Sequence, residues 1–148
     1  PWLFVIVGQG GGKARLETLA RERGLDNVRF FPLQSYDALP ALLSMADCHL
    51  VIQKRGAADA VLPSKLTNIL AVGGNAVITA EAETELGQLC QSAPGIAVCV
   101  EPESVPALME GIERALLMPK RNAQALAYAE STLEKENVLS QFIADIRG

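Results

Sequence analysis

Two short stretches hold the residues best suited to chemistry. Gly8-Gln9-Gly10-Gly11-Gly12-Lys13 ends an apolar run and leads into a helical one. Glycine there lets the backbone approach a ligand without a Cβ in the way. The helix that follows offers unpaired N–H groups and a positive dipole end, which suits a phosphate. The second stretch runs from Lys54-Arg55-Gly56 to Pro63-Ser64-Lys65 and gathers three cations. Lys65 stands at the start of a helix, where a cation opposes the macrodipole. An anion between that lysine and the helix N-terminus turns the cost into a gain. Two anion-suited loops on one sheet edge point to a diphosphate. A third run, Glu81-Ala82-Glu83-Thr84-Glu85, is of the acidic kind that flanks a helix start.

Sharper motifs fail on spacing. GxGxxG needs a glycine where Lys13 stands, and Pro32-Leu33-Gln34 occupies the place of the acid that binds the ribose of NAD. A Walker A loop counted from Gly8 is one residue short, and Ala14 follows the lysine. No paired carboxylates, Ser–His–Asp set or Cys–His pair stands out, so no catalytic residue is assigned. His49 is the single histidine. It lies in Cys48-His49-Leu50-Val51-Ile52 and reads as a strand or core residue, so no metal site is expected. Cys48, Cys90 and Cys99 make an odd count without CxxC spacing. They read as small apolar fillers in a reducing compartment.

The elements that must position these loops alternate regularly. Apolar or β-rich runs at Trp2–Val7, Val28–Phe31, Cys48–Ile52, Ala76–Thr79 and Ile96–Val100 read as strands. The first is apolar throughout, as in a strand buried on both faces, and Trp2, Phe30 and Phe31 read as core. Helical patterns fall at Lys13–Arg23, Tyr36–Ala46, Pro63–Val72, Thr84–Gln91 and Val105–Leu117, with Ser104 as N-cap of the last. Gly24 and Gly73-Gly74 are stop signals, and Pro40 sits in a first turn. Two more helical segments follow at Ala123–Thr132 and Val138–Ile146. This is an α/β pattern, a Rossmann-like doubly wound parallel sheet of about five strands with C-terminal helices. Ligands of such sheets bind at the carboxyl ends of the strands, which selects the loops after strands one, three and four.

Composition sets the outer bounds. With 148 residues, 49% hydrophobic and 20% charged, the chain suits one domain with a sizeable core. A net charge of -4 argues against a nucleic-acid partner. No apolar run approaches the ~20 residues of a membrane span, and the start lacks the basic flank of a signal peptide. The first residue is Pro1 and a strand begins almost at once. The expectation is a piece of something larger.

Val5-Ile6-Val7-Gly8-Gln9-Gly10, Asn27-Val28-Arg29-Phe30-Phe31-Pro32 and Ala46-Asp47-Cys48-His49-Leu50-Val51 occur in an informative order. With Val61 to Ile78 and Glu134-Lys135-Glu136-Asn137-Val138-Leu139, the series resembles the C-terminal half of GT-B glycosyltransferases of the family 4 type. It is similar in particular to bacterial members that build exopolysaccharide of the colanic acid type and are assigned to fucosyl transfer. The resemblance implies a cytoplasmic hexosyltransferase, peripheral at the inner membrane, that uses a nucleoside-diphosphate sugar with GDP favoured. It implies no cofactor and a lipid-linked oligosaccharide acceptor reached through the full-length enzyme. It also implies that residues 1–148 form a single nucleotide-sugar-binding domain without its N-terminal acceptor domain, so the isolated chain is expected to be inactive.

Backbone groups around Ser64, Lys65 and Leu66 would hold the diphosphate, with Gly8 and Gly10 close to the donor and Lys54 or Arg55 near the phosphates. The base would lie against Phe31, Pro32 and Leu33. Many relatives carry two glutamates eight positions apart, and here those positions are Ala60 and Asn68. Asn68 can still hydrogen-bond a ribose hydroxyl, whereas Ala60 cannot replace the first glutamate: either Asp59 contributes, or the sugar is recognised differently. Two alternatives stay open. One is a nucleotide-sugar 2-epimerase-like domain; the other is a non-catalytic dinucleotide-binding module.

Overall fold

Short parallel strands alternate with helices in a computed structural model that describes residues 1–56 and 64–132. Asp59, Ala60 and the helix expected at Val138–Ile146 lie outside the described residues. The chain divides into two compact units, Pro1–Leu39 and Pro40–Gly148.

The first unit holds β1 (Phe4–Val7), α1 (Lys13–Glu22) and β2 (Val28–Phe31). The strands pair in parallel, from Phe4 opposite Val28 to Val7 opposite Phe31. Gly24 ends α1 with φ +64°, the left-handed turn that glycine takes without a Cβ clash. The burial expected for β1 on both faces is not found. Val5 and Ile6 are 49% and 36% exposed, and Phe31, expected in the core, is 45% exposed. Trp2 packs edge-on against Phe4 at the mouth of β1. No residue of this unit is fully buried. An apolar run reports hydrophobicity, not the number of layers that cover it, and two strands with one helix provide little cover.

The helix expected over Tyr36–Ala46 is a 3-10 turn at Tyr36–Ala38 followed by α2 (Leu39–Met45). Pro40 explains the break, because it has no N–H to donate back to the Tyr36 carbonyl. That carbonyl instead accepts from Leu39, in the tighter 3-10 pattern.

The second unit continues with β3 (His49–Val51), α3 (Ser64–Ala71), β4 (Ala76–Thr79), α4 (Glu85–Ser92), β5 (Val98–Val100) and α5 (Val105–Leu116). Residues 123–132 are helical. Its sheet runs in the order β3-β4-β5, all parallel. Alternation along β4 assigns the two faces. Ala76 and Ile78 join Val51, Leu66, Ile69, Leu70 and Leu86 in one core, which also takes Ala125 and Ala129. Val77 points the other way, to α5, where a Cβ at Gly111 would come within 3.0 Å of it. Helices therefore cover both faces, as a doubly wound domain requires. The ladders form two sheets, of two strands and three, where the alternation by itself reads as one sheet of five. Alternation sets strand direction but not which edges hydrogen-bond.

Caps and polar contacts follow local chemistry. Thr84 caps α4 and Ser104 caps α5, each accepting from an amide three residues on at 3.2 Å. Buried Asn75 and Asn122 tie the segment before β4 to the 123–132 helix. Asn122 donates to Asn75 at 3.1 Å and to the Gly95 carbonyl at 2.9 Å, and its Oδ1 receives the Ala125 amide. Cys48, Cys90 and Cys99 are all free thiols. Cys99 on β5 donates to the Ala80 carbonyl at 3.7 Å. Interaction between the Cys90 thiol on α4 and the Cys99 thiol holds Cys99 below its ordinary range and raises Cys90.

His49 is half-buried, with Nε2 2.9 Å from the Leu43 carbonyl. A carbonyl only accepts, so Nε2 carries the proton of the neutral ring. Burial lowers the pKa of His49, the Leu43 bond opposes this, and Lys65 lowers it further. The fold thus prefers the neutral ring. That stabilisation is complete above the unfolded value of about 6.5 and is lost as pH falls through the lower folded value. We expect the denaturant midpoint to fall as pH is lowered from about 7.5 to about 5.5, through titration of this ring, and the fall to be smaller in His49→Gln; equal slopes would refute it.

Gly87 offers a second test. A Cβ there would lie 2.2 Å from the Glu81 carbonyl oxygen, a backbone atom that cannot step aside. Gly87→Ala should destabilise by about 3 kcal/mol or more in chemical denaturation, as forced overpacking does. Gly10→Ala, with open space around the new Cβ, should have far less effect.

Candidate functional site

The carboxyl edge of β3-β4-β5 is built by three loops and the start of α3. Leu66, Ile69 and Leu70 of α3 are fully buried, each worth about 1.5–3 kcal/mol by transfer from water. Their burial fixes which side of the helix faces out. Ser64 and Asn68, one turn apart, share the opposite side, and Lys65 lies beside them. Ser64 and Lys65 are exposed and Asn68 is half-buried.

The Lys65 Nζ donates to the Leu50 carbonyl at 2.7 Å. His49 donates its backbone N–H to Asn75, towards β4, so the next residue, Leu50, directs its carbonyl off the opposite edge of β3. The lysine therefore satisfies an edge carbonyl that β4 does not reach. Partial burial there lowers the pKa of Lys65.

Arg55 follows a different course. Its guanidinium pairs with Glu101 at 2.6 Å and Glu81 at 3.4 Å, and also donates to the Pro102 carbonyl at 3.1 Å. Its backbone N–H donates to Glu103 at 3.2 Å, and the next amide, Gly56, donates to Glu81 at 3.1 Å. The hydrogen bond and charge of Glu101, then Glu81 and Glu103, raise the Arg55 pKa. Of the two cations expected near phosphates, Arg55 is thus turned to the loops after β4 and β5, and Lys54 is exposed. Behind them, Thr79 closes β4. Its buried hydroxyl accepts from the Gln53 amide at 2.7 Å and donates to the Gln53 carbonyl at 2.9 Å.

In the first unit, the glycine loop is fastened to the end of β2. The Phe31 carbonyl accepts from the Gly8 amide at 3.2 Å and from the Lys13 ammonium at 3.1 Å, which uses both of its lone pairs. Gly8 takes φ +145°, outside the range of ordinary residues, whereas Gly10 has no such requirement. The Pro32 carbonyl accepts from the Gln34 side chain at 2.8 Å. Leu33 is 66% exposed. Gly8 and Phe31 are brought together, and Lys13 joins them.

Thr79, Glu81, Glu101 and Glu103 were not singled out as a group by the residue pattern. Glu101 and Glu103 follow strand five, a loop that the switch-point rule does not select. The usable signal was Glu101-Pro102-Glu103-Ser104 itself, acidic and placed directly at a strand's carboxyl end. No group of three or more metal-binding side chains occurs among the described residues. A cavity of about 310 Å³ opens elsewhere, between the C-terminal ends of α2 and α3, beside Gly73, Lys120 and Arg121. Helix C-termini disfavour an anion, and this cavity lies at the opposite sheet edge from Ser64.

The glycosyl transferases group 1 family matches residues 1–132. The chain belongs to this family. It is 78% identical over 148 residues to an Escherichia coli (strain K12) protein that carries the name colanic acid biosynthesis glycosyl transferase WcaI. That match covers all of this chain and 36% of the relative. The chain therefore spans about a third of that relative's length, in its C-terminal part. Among solved structures it is similar to the sucrose-phosphate synthase from Thermosynechococcus elongatus, with a TM-score of 0.69 and 19% identity. The likeness covers 95% of this chain and 38% of that one, and it carries the fold alone. The fold is of the GT-B type, as the resemblance implied. Among the described residues, no helix of this group 1 chain is long and apolar enough to cross a membrane.

Proposed function

We propose that the chain is the donor-binding part of a glycosyltransferase that builds exopolysaccharide of the colanic acid type. The observation that carries this reading is the start of α3. Its apolar side is sunk in the core, and Ser64, Lys65 and Asn68 are presented at the carboxyl edge. The start of a helix favours an anion. In this reading the Lys65 ammonium leaves the Leu50 carbonyl for a phosphate oxygen when a nucleoside diphosphate binds. Asn68, one turn along, hydrogen-bonds a ribose hydroxyl.

The chemistry follows from charge. As the bond from sugar to phosphate breaks, negative charge grows on the departing nucleoside diphosphate. Fixed N–H dipoles and a cation that are already oriented bind that charge more strongly than they bind the intact donor. The chain supplies leaving-group stabilisation by its own groups. The resemblance assigns Gly8 and Gly10 to the donor, and Phe31 to Leu33 to its base.

A GDP-sugar donor, with fucosyl the favoured hexosyl group, extends the reading, as does a lipid-linked oligosaccharide acceptor. Transfer would take place against an acceptor domain of the whole enzyme, peripheral at the inner membrane. The names of the relative and the family support this reading, together with the identity over the chain.

Calorimetry of the chain with GDP and with UDP tests the site. We expect binding of a nucleoside diphosphate, GDP the tighter. Lys65→Ala should weaken it by about tenfold to a hundredfold, the range of a charge-assisted hydrogen bond. No binding of either, or no effect of Lys65→Ala in a folded variant, overturns the assignment. NADH should not compete for the site. A nucleotide sugar incubated alone with the intact enzyme should not be epimerised, which separates transfer from 2-epimerisation.

A further inference from the structure

Residues 53–56 leave β3 at the carboxyl edge of its sheet. In a loop with few apolar contacts, their course depends on polar contacts from the neighbouring strands' ends. Those contacts are unusually complete. The Thr79 hydroxyl takes both the N–H and the C=O of Gln53, at 2.7 and 2.9 Å, from a side chain that is 3% exposed. Two residues on, the Arg55 amide donates to Glu103 and the Gly56 amide to Glu81. The Arg55 guanidinium bridges Glu81 and Glu101.

Glu103 holds its position at a cost. It is the one residue other than glycine with positive φ among the described residues, at +57°. Such a backbone is uncommon for a residue with a Cβ and persists when its surroundings require it. Here its carboxylate is spent on a backbone amide of the loop after β3. A solvated surface glutamate would need neither the strain nor the partner. Thr79 is equally specific. A valine has nearly the same shape and would bury as well in β4, yet would leave both Gln53 groups without their partner.

We propose that Thr79 and Glu103 are positioning residues for donor binding: they hold residues 53–56 in one course at the carboxyl edge. Glu81 and Glu101 assist by engaging Arg55, which in this arrangement is a strut between loops. This rests on the reading of α3 as the donor-phosphate site. A conventional expectation would place Arg55 on the phosphates. The present assignment gives it a structural role and leaves phosphate contact to Lys65 and the α3 amides.

Amide hydrogen exchange of the chain without ligand, followed by GDP titration, tests the proposal in two separate steps. In Thr79→Val, the Gln53 amide should lose protection while amides of β4 keep theirs, and GDP affinity should fall about tenfold. Thr79→Ser, which keeps the hydroxyl, should restore both. Glu103→Ala, at an exposed site, should release the Arg55 amide and weaken GDP in the same direction, and it serves if Thr79→Val does not fold. Unchanged Gln53 and Arg55 protection, or lost protection with unchanged GDP affinity, overturns the proposal. If the unaltered chain binds no nucleoside diphosphate, the donor-site reading has failed and the proposal falls with it. The exchange data would still report separately whether the clamp exists.

Discussion

Burial of β4 on both faces is the constraint on which the second unit depends. All four of its residues, Ala76 to Thr79, are buried. A strand covered on both sides cannot slip by one residue without driving its apolar set through the wrong layer. Its register with β3 and β5 is therefore fixed, and with it the level at which the neighbouring strands end. Ala76 and Ile78 hold α3 and α4 to one face, and Val77 holds α5 to the other. The carboxyl-edge loops are consequently placed by a rigid element rather than by their own contacts.

That placement explains why weak interactions can organise the edge. Arg55 is exposed, and its ion pairs with Glu81 and Glu101 add little to stability in water. They need only choose among the few courses open to a loop whose base is already held. Thr79 belongs to both systems. Its backbone is part of the buried strand, and its hydroxyl reaches the first residue of the loop that carries a hydrogen-bonding side chain. Stability thus comes from apolar layers and geometry from a handful of polar contacts at their rim.

Much of this was legible in residue patterns. Gly24, Gly73, Thr84 and Ser104 carry local backbone requirements, so the limits of α1, α3, α4 and α5 could be read to within a residue or two. The β4 limits, Ala76 to Thr79, agree with the pattern because a run buried on both faces is apolar throughout. The same inference misjudged β1. Trp2 to Val7 is equally apolar, yet Val5 and Ile6 are exposed within their unit. Composition reports a tendency to be covered, and the covering layers come from elsewhere in the chain. Pro40 was placed correctly in a first turn, but its effect on the turn before it, through the Tyr36 carbonyl, required knowing where that carbonyl points.

The site divides along the same line. Ser64, Lys65 and Asn68 follow from helical spacing and the position of a helix start, which are local properties. The partners of Arg55 are 26 to 48 residues away in sequence, and no local pattern names them. Charge counting placed three cations at this edge and read all of them toward phosphates. The fold distinguishes them, because Glu81, Glu101 and Glu103 come from strands that end beside Arg55, and α3 carries Lys65 to the other side of β3. An anion entering this edge meets one cation already committed to carboxylates and another held only by a single carbonyl. Exchange of a neutral acceptor for a phosphate oxygen strengthens a charged hydrogen bond. Exchange of two carboxylates gains much less, which is why the lysine and not the arginine is the group free to move.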